Sequence, residues 1–241
     1  MESMPNLFRH ATKELSQDAF FTWLIQWSDP TYKEQHASLH SCSIALLKLL
    51  VGNQYEIDEA KLDSVEAGRQ WKNVDVWVDI YFTDDTKLFL IIEDKTFTGE
   101  HSKQLETYKA EAEKRCSVDG FNLACAYVKT GSETRKTLDI IRNKGFHVVE
   151  RKELIQTIIP YKQLGNNILS DFVDYLEELQ HQHDSFEFLP VKDWHWFSWV
   201  GFFQFIESQR TINMWHRVNN QAGGFWNLSL NWEYWNDIPL Y

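Results

Sequence analysis

Three charged residues, Asp75, Glu93 and Lys95, stand at the ends of two consecutive apolar segments. Two carboxylates a few ångströms apart repel each other unless a cation lies between them, and oxygen ligands of this kind suit Mg²⁺, with Mn²⁺ as a substitute. A lysine beside such a metal can position the attacking water or neutralise the charge that builds on phosphorus during hydrolysis. These residue types therefore indicate metal-dependent cleavage of phosphodiester bonds.

The segments that carry these residues form a predicted β-hairpin. NVDVWVDIYF at 73–82 places aliphatic residues and Phe on one face of a strand, and Asp, Trp and Tyr on the other. TDDTK at 83–87 favours a turn, and LFLIIED at 88–94 is rich in β-forming residues. We therefore expect two antiparallel strands with the charged residues at their open end.

The centre of the turn fixes which residues face each other, because cross-strand partners in an antiparallel pair have residue numbers with a constant sum. That sum is 168, which puts Asp75 opposite Glu93, Asp79 opposite Phe89, and Lys95 on the face of Glu93. The spacing of eighteen residues from Asp75 to Glu93 is long, and a bulge or a shifted turn would bring Asp79 to the metal instead. The register favours Asp75.

A simpler interpretation of these residues competes with the catalytic one. An E-x-K triplet is common by chance, and exposed Asp, Glu and Lys side chains usually form a solvated face. The run LFLII before Glu93 is too apolar for an ordinary exposed edge strand. The context therefore favours chemistry over a solvated surface.

The periodicity of the remaining chain predicts the elements that would position this hairpin. The predicted helices cover residues 14–27, about 37–51, about 101–116, 133–144 and 151–159. Two further strands are predicted at 121–128 and 146–149. These elements make a mixed sheet flanked by helices, so the expected fold class is α/β.

Four motifs of this expected core follow one another in the chain: ELSQDAFFTWLIQW at 14–27, IEDK at 92–95, QLETY at 104–108 and YVKTG at 127–131. Together with Asp75, they resemble the D-x(n)-E-x-K core of the PD-(D/E)XK nuclease superfamily. The similarity is greatest to a bacterial branch with an E-L-S-Q-like helix, an I-E-D-K strand and a Q-L-x-x-Y helix. The resemblance implies a restriction-endonuclease-like core and a nuclease that hydrolyses phosphodiester bonds.

The resemblance also implies roles for five residues. Asp75, Glu93 and Glu14 would bind the metal, Lys95 would be the catalytic lysine, and Gln104 would line the cleft and complete the catalytic set. Simpler roles compete for two of them: Glu14 can act only as a favourable charge at a helix N-terminus, and Gln104 can be a surface residue.

The C-terminal segment 184–241 differs in character, since it holds seven of the eleven Trp residues. Residues 194–208 predict a helix, and strands are expected within 210–218 and 225–235. Such aromatic density can stack bases, but in an acidic segment it more often packs against protein. We expect a nuclease-like domain at 1–183 and a small α+β extension that packs on the core or on a second subunit.

Charge and composition limit the compartment and the partners. No stretch approaches the roughly 20 apolar residues of a membrane span and no signal peptide is indicated, so a cytoplasmic protein without membrane contact is expected. The net charge is −11, but residues 101–162 hold 12 Lys and Arg against 8 Asp and Glu. A nucleic-acid substrate is compatible with this distribution, although a homodimer or a protein partner would add binding surface.

Two hypotheses from different classes follow. The first is a Mg²⁺-dependent nuclease that acts on DNA, with an RNA-directed nuclease as the weaker alternative, and with phage defence or mobile-element biology as its setting by analogy. The second is a non-catalytic binding or regulatory module that keeps the nuclease fold. The complete set of two acids and a lysine favours the first.

Overall fold

The computed structural model of the chain describes residues 5–11, 14–98, 103–209, 215–218, 225–228, 233–235 and 238–240. The chain divides into two compact units. The first takes Met1–Ser132 and Ile140–Glu178, and the second takes Glu133–Asp139 and Leu179–Tyr241. The predicted domain boundary after residue 183 remains a prediction.

A five-stranded mixed sheet forms the centre of the first unit, and its strands are β1 Leu62–Trp71, β2 Val74–Phe82, β3 Lys87–Lys95, β4 Asn122–Lys129 and β5 His147–Glu150. The strands lie in the order β1-β2-β3-β4-β5. The first three strands pair antiparallel, and β3, β4 and β5 pair parallel. The α/β fold class expected from the sequence is confirmed.

Helices flank this sheet, because each has an apolar side that must be buried. The helix bounds, in chain order, are α1 Leu7–His10, α2 Glu14–Gln26, α3 Ala37–Val51, α4 Gln104–Asp119, α5 Arg135–Asn143, α6 Arg151–Ile158 and α7 Asn167–Asp184. Of these, α2 contacts β1, β2 and β3, while α4 contacts β3 and β4, and α3 contacts α6, β4 and β5. No helix among the described residues is both long and apolar enough to cross a lipid bilayer.

The register of the central hairpin agrees with the prediction. Val76 pairs with Ile92 and Asp79 pairs with Phe89, so the paired residue numbers sum to 168. Asp75 lies one residue beyond the last pair and accepts a hydrogen bond from the backbone nitrogen of Asp94 at 3.1 Å. The bulge that would have moved Asp79 to the end of the hairpin does not occur.

Three elements were missing from the sequence prediction. The edge strand β1 lacks a clear alternation, since only Leu62 and Val65 in it are buried. The short helix α1 covers one turn, and α7 occupies residues that were assigned to no element. In α7 the signal was present in the sequence, because Leu169, Phe172, Val173 and Leu176 recur at helical spacing and are buried.

The second unit contains the helix α8 Trp196–Gln209 and four short strands, β6 Trp215–Val218, β7 Phe225–Leu228, β8 Glu233–Trp235 and β9 Ile238–Leu240. β6 pairs with β7, and β8 with β9, both antiparallel. The buried carboxylate of Glu207 accepts hydrogen bonds from the backbone nitrogen of Arg135, at 3.2 and 3.3 Å, and from Trp215 Nε1, at 2.8 Å. Where 194–208, 210–218 and 225–235 are described, a helix and strands occur as predicted, and the remainder lies outside the described residues.

Candidate active site

Four of the five predicted site residues meet around one ammonium group. Lys95 Nζ lies 2.5 Å from Glu93 Oε1, 3.6 Å from Asp75 Oδ2 and 3.9 Å from Glu14 Oε2. The start of β2 and the end of β3 supply three of these side chains, and the first residue of α2 supplies Glu14. Three carboxylates therefore surround one cation, the ammonium of Lys95, at the end of the sheet where β2 begins and β3 ends.

Burial makes this cluster electrostatically strong. The side chain of Glu93 is almost completely buried. Burial, followed by the negative charge of Asp75, raises the pKa of Glu93 to about 8, although the positive charge of Lys95 acts in the opposite direction. Burial alone would lower the pKa of Lys95, but the carboxylates of Glu93, Asp75 and Glu14 outweigh it and raise the pKa above its usual range. Lys95 is therefore cationic at neutral pH.

Gln104, the fifth predicted residue, reaches the same cluster from the first turn of α4. Its Nε2 donates to Glu93 Oε1 at 2.9 Å and to the hydroxyl of Tyr108 at 2.8 Å. The spacing of four residues in a helix places Gln104 and Tyr108 on one face, which permits the second contact. Glu93 Oε1 thus receives two donors, Gln104 and Lys95, that together fix its orientation.

Glu14 has a second set of contacts that the sequence did not indicate. Its Oε1 accepts hydrogen bonds from the backbone nitrogen of Thr96 at 3.2 Å and from the hydroxyl of Thr98 at 2.5 Å. One carboxylate oxygen thus holds the chain that leaves β3, and the other oxygen faces Lys95. Its contacts go beyond those of a favourable charge at a helix N-terminus.

Asp79 lies elsewhere, on the face of the sheet that α4 covers. Its Oδ2 pairs with Arg115 at 2.6 Å, and the guanidinium of Arg115 lies 4.1 Å from the centre of the Phe89 ring. This ion pair already neutralises Asp79. Of the two acids left open by the spacing argument, the structure brings Asp75 to Lys95 and Glu93 and places Asp79 against Arg115.

Two further acids, Asp18 on α2 and Asp94 on β3, are buried close to the cluster and were missed by the sequence analysis. Both oxygens of Asp94, and Oδ1 of Asp18, are buried without a hydrogen-bond partner in the described structure. Burial, followed by the charge of Asp18, raises the pKa of Asp94 well above its ordinary value. Asp94 alternates with Glu93 along β3, and both α2 and α4 contact this strand, so Asp94 is buried as well.

The pKa of Asp18 rises to about 7, because of burial and then the negative charge of Asp75. Because the pKa of Asp18 is higher in the folded protein than in the unfolded chain, the stabilising contribution of this group is present at low pH. This contribution to the free energy of unfolding is lost as the pH rises from about 4 to about 7. We expect Asp18→Asn to match the wild type near pH 4 and to be more stable by about 2–4 kcal/mol at pH 8. Urea unfolding in EDTA at both pH values measures this.

The exposed Asp63 supplies the matched control, and Asp63→Asn should change stability equally little at both pH values. If Asp18→Asn instead tracks the wild type at pH 8, the ionised Asp18 is not costly in the fold, and its burial beside Asp75 does not have the effect described here.

The donor chemistry of the cluster fits a hard divalent cation. Asp75, Glu93 and Glu14 offer carboxylate oxygens around one point, and Glu93 Oε2 is buried without a hydrogen-bond partner. Among the residues that the structure describes, no three His, Cys, Asp or Glu side chains are close enough together to hold a metal ion. The ammonium of Lys95 occupies the point on which the three carboxylates converge.

Comparison with known proteins gives one result. No curated protein and no solved structure matches the chain significantly. The profile of the PD-(D/E)XK nuclease superfamily matches residues 5–163, which is more than half of the 241-residue chain and includes the whole cluster around Lys95. The five-stranded mixed sheet with its flanking helices is consistent with the restriction-endonuclease-like fold of that superfamily. The chain therefore belongs to the PD-(D/E)XK nuclease superfamily, a family of enzymes that hydrolyse phosphodiester bonds.

Proposed function

We propose that this protein is a Mg²⁺-dependent nuclease that hydrolyses phosphodiester bonds of DNA, with Mn²⁺ able to substitute. The convergence of Asp75, Glu93 and Glu14 on the ammonium of Lys95 is the observation that carries the proposal. Carboxylates that lie this close together in a buried sheet repel one another, and their oxygen atoms match the ligand preference of Mg²⁺.

In this proposal Asp75, Glu93 and Glu14 hold the metal. Once bound, the metal would supply Lewis-acid polarisation of the phosphodiester and lower the pKa of a bound water. Lys95 remains protonated because its pKa is raised, so it neutralises negative charge at the reacting phosphate. Gln104 orients the carboxylate of Glu93 through its hydrogen bond to Oε1.

DNA as the substrate, and a role in phage defence or mobile-element biology, rest on analogy with the superfamily. The excess of Lys and Arg over Asp and Glu in residues 101–162 supports contact between this segment and a polyanionic substrate. A homodimer or a protein partner, which would bind through the Trp-rich segment after residue 183, is proposed as additional binding surface for an acidic chain.

One observation favours a second candidate, a non-catalytic module that keeps the nuclease fold. Within the described part of the chain, the acids do not form a metal cage of three ligands. The two candidates differ in whether Lys95 and Glu93 are required for the effect of the protein on nucleic acid.

Cleavage assays test the proposal directly. Supercoiled plasmid, linear duplex, single-stranded DNA and RNA are incubated with Mg²⁺, Mn²⁺ or EDTA, and the wild type is compared with Glu93→Gln and with Glu111→Gln. Glu111 pairs with Lys114 at 2.7 Å on the exposed side of α4, so it is a matched control for an acid in contact with a lysine.

We expect DNA to be cut with either metal and not in EDTA, and Glu93→Gln to lose at least about 10²-fold in rate. Glu111→Gln should cut like the wild type. Cutting that continues in EDTA, or that survives Glu93→Gln, would contradict the proposed metal site. Cleavage of RNA alone would correct the substrate.

A further inference from the structure

Arg69, near the end of β1, is an exposed cation that lies beside the candidate active site. Its guanidinium nitrogen Nη1 donates a hydrogen bond to the carbonyl oxygen of Leu15 at 3.3 Å. Leu15 follows Glu14 in α2, and the carboxylate of Glu14 belongs to the cluster around Lys95. The hydrogen bond therefore holds a positive charge next to a residue of that cluster.

The backbone of Arg69 is placed by the sheet. Arg69 pairs with Val76, and Val76 pairs with Ile92, so the three residues form one row across β1, β2 and β3. Neighbouring strands lie about 4.8 Å apart, so this row is about 10 Å wide. Asp75 precedes Val76 in β2. Glu93 follows Ile92 in β3, so both acids lie one residue beyond the row that contains Arg69.

Packing of the neighbouring residues fixes this part of β1. The indole of Trp77 covers Gly68, where a Cβ atom would lie 2.6 Å from that ring. Trp71 packs edge to face on Phe89, with 5.1 Å between the ring centres. The backbone on both sides of Arg69 is thus held in place, while its side chain is exposed to solvent.

Arg69 does not serve as the partner of a protein carboxylate. Among the residues that the structure describes, Arg69 forms no ion pair, and its printed contact is the neutral carbonyl of Leu15. Burial, followed by the negative charge of Asp75, raises the pKa of Asp18 to about 7, and the charge of Arg69 opposes that rise only in part. The positive charge of Arg69 is therefore available to a ligand.

The chemistry of this side chain suits a phosphate. A guanidinium has five N–H donors in a planar fork that matches the oxygen atoms of a phosphate, and the Leu15 carbonyl takes one of them. The cluster itself attracts a polyanion little before a metal binds, because three carboxyl groups surround the ammonium of Lys95. Lys95 is also buried, whereas Arg69 is accessible.

We propose that Arg69 binds a backbone phosphate of the nucleic acid next to the phosphodiester that reacts. Arg69 reaches the end of the sheet from the side of α2 and Gln104 from α4, so the substrate backbone crosses that end between them. A phosphate contact carries no sequence information, so it holds any sequence equally well. This inference rests on the proposed function, which supplies the reacting phosphate at Lys95.

The test measures how binding depends on salt, because each contact between a cation and a phosphate releases counterions. Fluorescence anisotropy gives the Kd for a short labelled DNA duplex in EDTA, which prevents cleavage, at several NaCl concentrations. The wild type is compared with Arg69→Ala and with Arg69→Gln, since Gln can still donate to the Leu15 carbonyl but carries no charge.

Lys61→Ala is the matched control. Lys61 is also an exposed cation next to β1, but it precedes Leu62 at the opposite end of that strand and pairs with Asp84 at 3.6 Å. Its replacement removes the same charge from the protein without touching the surroundings of Arg69.

We expect Arg69→Ala and Arg69→Gln to raise the Kd by about tenfold and to lower the slope of log Kd against log salt concentration by about 1. Lys61→Ala should match the wild type in both quantities. In Mg²⁺, Arg69→Gln should raise KM for cleavage by about tenfold and leave kcat within about twofold. If Arg69→Ala unfolds, Arg69→Gln alone decides.

A slope for Arg69→Gln that equals the slope of the wild type overturns the inference, as does an equal change for Lys61→Ala. A weaker Kd with an unchanged slope also overturns it, because that result assigns Arg69 to the packing of β1 against α2. A structural role would lower the free energy of unfolding without changing the number of phosphates contacted.

Failure of this inference can be separated from failure of the proposed function. Metal-dependent cutting by Arg69→Gln with the wild-type KM, together with an unchanged salt slope, removes only the phosphate contact. A salt slope that depends on Arg69 in a protein that cuts no substrate keeps the contact and removes the catalytic proposal. A protein that neither binds nor cuts nucleic acid contradicts both.

Discussion

Lys95→Ala should lower kcat/KM for DNA hydrolysis by about 10³-fold, because it removes the positive charge that would face the reacting phosphate. Single-turnover cleavage with saturating Mg²⁺ measures the loss. Lys114→Ala is the matched control, since Lys114 pairs with Glu111 in the exposed region of α4, and it should keep the wild-type rate. If Lys95→Ala retains its effect on nucleic acid, the non-catalytic module becomes the better description.

Stability provides a second measurement for the same variant. Without Lys95, the carboxylates of Glu93, Asp75 and Glu14 lose the cation they share. Breaking a buried ion pair from one side typically costs about 3–5 kcal/mol, so we expect a loss of that order in the free energy of unfolding in EDTA. Added Mg²⁺ should restore part of it, because a ligand that binds only the folded state stabilises that state. If added Mg²⁺ leaves the free energy of unfolding of Lys95→Ala unchanged, that result would argue against a metal bound by these acids.

Asp75→Asn and Asp79→Asn should separate activity from stability. We expect Asp75→Asn to lose about 10²- to 10³-fold in cleavage rate, since it removes a carboxylate that faces Lys95. Asp79→Asn should cut normally but lose about 1–3 kcal/mol of folding stability, because the half-buried Arg115 loses its buried partner and keeps the more exposed Asp119 at 3.7 Å. Cleavage rates and urea unfolding, measured on both variants, give the comparison.

The reverse pattern would place Asp79 in the reaction. If Asp79→Asn stopped cutting while Asp75→Asn did not, the hairpin in solution would have to shift by four residues from the register in which Val76 faces Ile92. The two variants change the same chemical group on the same strand, so each serves as the control for the other.

The central hairpin could be predicted in detail because its signals are local. Five residues between two apolar strands fix the turn, and the turn fixes every cross-strand pair. The edge strand β1 could not be found in this way, because LDSVEAGRQW includes Gly and Ala at its centre and buries little. Its place in the sheet depends on pairing with β2, which a single segment does not reveal.

Asp75, Glu93 and Lys95 could be predicted for a similar reason, since the register of the hairpin brings them together, whereas Glu14 and Gln104 were implied only by the resemblance to the superfamily. The anchoring of Thr96 and Thr98 could not be predicted, because it joins the start of α2, the end of β3 and the end of β4. Hydrogen bonds between segments distant in sequence leave no periodic pattern. The burial of Asp18 and Asp94 could not be predicted for the same reason, since aspartate side chains usually lie on the protein surface.

The helix α5 has a consequence for the design of shortened proteins. Its first residues, through Asp139, belong to the second unit, and the rest belong to the first. The backbone nitrogen of Arg135 at its start is bound by Glu207, a residue some seventy positions later. An expression fragment that stops at residue 183 would therefore keep this helix and discard its N-terminal hydrogen-bond acceptor. Thr134 already accepts a hydrogen bond from the backbone nitrogen of Thr137 and does not replace Glu207 as the acceptor for Arg135, so deletion series and split-protein designs should retain α8 through Glu207.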